Sequence, residues 1–175
     1  FSYMKKIILI MSVLFLCVSV YAQKKKANNE TMEFRYEAES TTGQAVQGFT
    51  LIKVYTYSKS KDVATKQAGK NAVHAILFKG TADYNNGSVR IVGQKPLVSD
   101  ITAYDQNKTF FEKFFADGGD YQRFVQFVNN GIPDVGDAVK VGKEYKVGLK
   151  VLVNKAELRK YLEEAGIIKK LGSGF

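Results

Sequence analysis

The sequence predicts an α+β domain in two layers, a mostly antiparallel sheet of about four strands with three helices laid on it. Three stretches carry that reading. Phe49 to Tyr57 alternates Thr50, Ile52, Val54 and Thr56 with Phe49, Leu51, Tyr55 and Tyr57, and such β-branched and aromatic content suits an inner strand with both faces covered. It leads through a short polar turn into a helix over 60–78, where Ala64, Ala68, Ala72, Ala75 and Ile76 form a small-residue stripe that lets the helix lie close on a sheet. Glu144 to Val153 puts Tyr145, Val147, Leu149, Val151 and Val153 on one face and Lys146, Gly148 and Lys150 on the other, a strand with one wet face. That last pattern weighs against a parallel α/β sheet, the rival that alternating strands and helices suggest, because parallel strands are usually buried on both faces.

The remaining elements follow in order. Phe34 and Tyr36 alternate with Arg35 and Glu37, which predicts a half-buried strand over 33–39, then turns from Ser40 to Gly48. Ser58 and Ser60 offer hydroxyl caps to the central helix, and Asp62 a favourable charge in its first turn. Residues 81–98 hold no sustained period. Asn86-Gly87, between Tyr84 and Ile91, predicts a small hairpin there, with an exposed recognition loop as the functional alternative. Phe110, Phe111, Phe114 and Phe115 share one face of a helix over 105–117 that Gly118-Gly119 stops; in a chain without tryptophan these rings belong in the core. Tyr121 to Val128 fits a strand by alternation and a helix by spacing, and we read it as a strand over 121–128. Asn129, Asn130, Gly131 and Pro133 open a loop. Asn154 caps a last helix over 155–165 with Glu157 as the capping-box acid, and Gly166 with Ile167 makes a Schellman-type stop.

These elements fill one domain over 32–168, and what flanks it bears on location. Lys5 and Lys6 precede an apolar run from Ile7 to Val20, then Tyr21, Ala22 and Gln23, the pattern of a secretory signal cleaved near Ala22 rather than of a membrane span. Residues 1–22 are therefore expected to leave, Phe1 to Tyr3 lying before the expected start at Met4. A basic lead-in over 23–31, with Lys24, Lys25 and Lys26 in a row, and a tail over 169–175 complete the chain. Cys17, the only cysteine, sits in the signal, so the mature chain is expected to lack disulfides. A lipoprotein reading of Cys17 is disfavoured because Leu16, not a small residue, precedes it. The formal charge of +9 loses only Lys5 and Lys6 with the signal. Outside the cytoplasm such a basic protein meets anionic envelope surfaces rather than nucleic acid.

No reacting group is singled out by spacing. His74 is the only histidine, which excludes a multi-histidine metal site, and it falls inside the central helix, where a half-buried structural histidine is expected. Glu163 and Glu164, and Asp117 and Asp120, form no acid–base signature, and Asp134 and Asp137 lack the alternating oxygens of a calcium loop. We therefore assign no catalytic, metal or cofactor residues. The one candidate site is for anions: Lys79 in the last turn of the central helix, with Arg90 and Lys95 on the loop that must return to that point before Pro96.

The cut at Val20-Tyr21-Ala22-Gln23 and the segments KNAVHAILFKG, PLV, FFEKFF and LKVLVN resemble those of small exported proteins of Bacteroidetes-type bacteria that carry no assigned function. More distantly, the strand and Ala-rich helix from Val54 to Ile76, with KVGLKVLVNKAELRKYLEEAGI, is similar to the amino-terminal domain of a flagellar assembly protein and related envelope lipoproteins. The resemblance implies a compact α+β domain and a non-catalytic role in the envelope, and carries over no functional residue. The expectation is an exported, periplasmic or otherwise extracytoplasmic binding or assembly component, whose partner is another envelope protein or an anionic surface. A periplasmic small-ligand carrier and an enzyme without a recognisable motif are the alternatives.

Overall fold

The computed structural model describes residues 34–44, 46–100 and 102–170. The signal over 1–22, the lead-in over 23–31 and the tail beyond residue 170 lie outside the described residues.

The main sheet has five strands, all paired antiparallel. Strand β1 (Tyr36–Ser40) pairs with β2 (Phe49–Ser58), and β2 lies along β7 (Glu144–Asn154) over ten residues, from Phe49 opposite Asn154 to Ser58 opposite Tyr145. On the far side of β7 lie β5 (Val125–Phe127), opposite Val151 to Val153, and β6 (Ala138–Val141), opposite Glu144 to Val147. They are two halves of one edge, and residues 128–137 loop out between them. A second, two-stranded sheet is the hairpin of β3 (Tyr84–Asn85) and β4 (Arg90–Ile91), with Asn86-Gly87 at its turn.

Helix α1 (Lys61–His74) covers one face of the sheet and continues as a π-helical turn, Ala75–Lys79, that Gly80 ends at φ 73°. Its stripe behaves as the spacing requires: Ala64, Ala68, Ala72 and Ala75 are fully buried against Ile52, Val54, Leu149 and Val151 in one hydrophobic cluster. Helix α4 (Lys155–Glu164) adds Leu158 and Leu162 to that cluster. Asn154 accepts from the Glu157 amide at 3.1 Å, and the Ile167 amide reaches the Leu162 carbonyl at 2.9 Å past Gly166 at φ 72°, which is the Schellman stop.

Four expectations need correction. The helix over 105–117 is two, α2 (Ala103–Gln106) and α3 (Lys108–Phe114), because Asn107 leaves helical geometry and its side-chain amide takes the Ala103 carbonyl at 3.0 Å. Only 125–127 of the strand over 121–128 is extended. Tyr121 and Phe124 both reach the core, and residues three apart share a side only in a helical turn, so Asp120–Phe124 coils as a 3-10 helix. Strand β6 falls where a loop was expected. Ser60 holds the N-cap position of α1 without a side-chain bond; its carbonyl accepts from the Ala64 amide, while Ser58 Oγ takes the Ser60 amide at 3.2 Å.

Candidate functional site

The face of the sheet turned away from α1 is built by the residues between the core positions. Across β1, β2 and β7 these are Glu37 and Glu39, Lys53, Tyr55 and Tyr57, and Lys146, Gly148 and Lys150. Alternation places them, and the register brings them together. Tyr55 donates to Glu39 at 3.2 Å, and Tyr57 donates a short hydrogen bond to Glu37. Lys146 Nζ reaches Glu37 at 2.7 Å and stands 4.5 Å from the Tyr55 ring centroid. Arg35 crosses the Tyr57 ring at 5.0 Å on its way to Glu144, 2.8 Å away. These charge-over-ring contacts add to the ion pairs.

The loop over 128–137 completes this face. Asp137 meets Lys53 at 2.7 Å and Asp134 meets Lys150 at 3.0 Å. The first pair is well shielded, with side chains 16% and 15% exposed. Gly148 is what lets Tyr55 lie flat: a Cβ there would stand 2.7 Å from Tyr55 Cε1. Hydrogen bonds from Lys146 and then Tyr57 hold the Glu37 carboxyl below its ordinary range, and burial only partly opposes them.

Comparison with known proteins finds no family, no curated protein and no solved structure that this chain matches.

The three candidate anion ligands are placed as follows. The loop does return to the end of α1: the Thr81 amide bonds the Gln94 carbonyl at 2.9 Å, and the Leu97 amide bonds Ile76 at 2.9 Å. Lys79 and Lys95, both exposed, therefore flank one backbone contact. Lys79 Nζ is directed to β1, 4.4 Å from the Tyr36 ring centroid and 3.4 Å from the Phe34 carbonyl. Arg90 belongs to the hairpin, where Asp83 holds its guanidinium through two bonds at 2.8 and 3.3 Å. Arg90 is thus paired with Asp83, and Lys79 is turned to the start of β1.

His74 is more deeply set than a half-buried residue, at 9% exposure. Its ring stacks on Phe34 at 3.8 Å, and its Nδ1 shares a 2.7 Å hydrogen bond with the Tyr36 hydroxyl. Phe78, Tyr104 and Phe115 close the cage. Burial, with a smaller push from Lys79, takes its pKa from 6.5 down to about 3, and burial pushes the Tyr36 phenol well above its usual range.

Sequence reasoning missed the open face as a site. Its signal was present in the alternation of Lys53, Tyr55 and Tyr57 with core residues, but which lysine faces which acid depends on strand register and on the path of residues 128–137.

Proposed function

We propose that this chain is an exported, non-catalytic binding or assembly component of a bacterial envelope. The observation that carries the reading is the face of the sheet that no helix among the described residues covers, where Tyr55, Tyr57, Lys53 and Lys146 are presented by the two longest strands. Tyrosine rings are enriched at protein interfaces, and here Tyr55 and Tyr57 are held side by side on a rigid frame. The signal-like segment from Lys5 to Gln23 supports export, and the basic balance of the chain suits the envelope.

The test is co-purification of the tagged protein from its own envelope, compared with a variant carrying Tyr55→Ala and Lys146→Glu. Loss of a captured envelope protein from the variant supports the reading; an unchanged set of proteins rejects this face. Intact mass of the exported form, expected to begin at or near Gln23, checks export, and a diacylglyceryl-modified Cys17 would replace the soluble form with an anchored one. The anionic-surface partner rests on Lys79 and Lys95 flanking one contact, with Arg90 nearby in sequence. Reversing all three charges is expected to reduce retention on anionic liposomes at low salt, and unchanged retention rejects it.

A further inference from the structure

We propose that His74 is an acid-released latch that holds the start of the sheet's edge strand, Phe34 to Tyr36, against the end of α1. Four contacts converge on these residues. Phe34 stacks on the imidazole at 3.8 Å, Tyr36 bonds its Nδ1 at 2.7 Å, and Lys79 Nζ lies 3.4 Å from the Phe34 carbonyl and 4.4 Å from the Tyr36 ring centroid. The latch closes against backbone strain, because Phe34 stands in the left-handed region at φ 56° where a side chain is disfavoured.

The surroundings of the ring give the latch its sign. From β1 it faces the Tyr36 hydroxyl, from the turn before β1 the Phe34 ring, from its own helix Phe78 and the Lys79 ammonium, from α2 the Tyr104 ring, and from the end of α3 the Phe115 ring. Among the described residues none of these elements brings a carboxylate to it. A proton on His74 therefore has no counter-charge among the described residues, and Lys79, which clamps the closed form, repels it. In the closed form the imidazole titrates at about 3, and once opened to water near its ordinary 6.5. Between those values the open state binds a proton that the closed state does not, so closure is fully favoured above 6.5 and weakens as pH falls through the window. From pH 7.5 to 4.5 the open population rises about a hundredfold.

Amide exchange of the full chain, corrected for the intrinsic pH dependence of exchange, reads this directly. The expected result is a rise of about that size for Tyr36–Ser40, a much smaller rise for Val147 to Val153, and no such rise for Tyr36–Ser40 in His74→Asn. A flat wild-type profile, an equal rise in both strands, or the same rise in the variant overturns the proposal. Because His74 is the only histidine, its ring resonances in the unmodified protein give a second reading that needs no variant. A midpoint well below 5 supports the latch, and one near 6.5 overturns it.

Discussion

Ile52, Val54 and Thr56 of β2 are fully buried beneath α1, while Lys53, Tyr55 and Tyr57, one position away along the same strand, lie half-buried on the open side. The first set is held by volume. Their neighbours are alanines, leucines and a group of phenylalanines, with a polar seam where Asn71 donates to Thr56 at 3.0 Å. The second set is held by direction: each charge has an opposite charge or a ring within reach. Exchange of any core residue for a smaller one leaves a hole that nothing fills, whereas the open side can lose one contact and turn to water.

The largest loss is expected of Phe111→Ala. Phe111 is 0% exposed and packs on Phe78, Tyr104, Phe110 and Phe115, so truncation should cost about 3–5 kcal/mol by urea unfolding. A loss below about 1 kcal/mol would mean the core tolerates holes as the open side does. Gly148→Val tests the reverse, overpacking on the open side. Its Cβ would press on the Tyr55 ring, and a cost of about 1–3 kcal/mol is expected. Asp137→Asn removes the charge opposite Lys53 at the best-shielded pair of that face, and about 1–2 kcal/mol should be lost. Glu37→Gln is the smallest, about 0.5 kcal/mol or less and abolished by high salt, since Glu37 is largely exposed. The Glu37 contribution has a definite pH sign. Its folded pKa is lowered, so the contribution is present above the ordinary carboxylate range and disappears as pH falls through the folded value.

Much of the frame was legible because it follows from period alone. The alternation of Phe49 to Tyr57 and of Tyr145 to Val153, the alanines of α1 and the cap at Asn154 each specify a local answer, and the fold agrees with all of them. What was not legible depends on partners distant in the chain. Asn107 breaks a helix by taking a carbonyl, a choice that helical spacing does not reveal. Tyr121 and Phe124 coil because both must enter the same core. The pairing of Lys53 with Asp137 needs the sheet register and the path of a loop, and the cage around His74 needs Phe34, which enters from forty residues earlier in the chain.

The split edge formed by β5 and β6 has a consequence for solubility. A continuous outer strand offers a row of unpaired amides and carbonyls on which another chain can polymerise. Here residues 128–137 bulge out between three residues of β5 and four of β6, and Lys140 sits between the exposed Val139 and Val141. The opposite margin is only five residues long, and Ala82 already occupies part of it through bonds to Ala38 and Ser40. Neither rim of the sheet is a template of useful length. Strand-by-strand growth from the folded sheet is therefore disfavoured at both of its described edges.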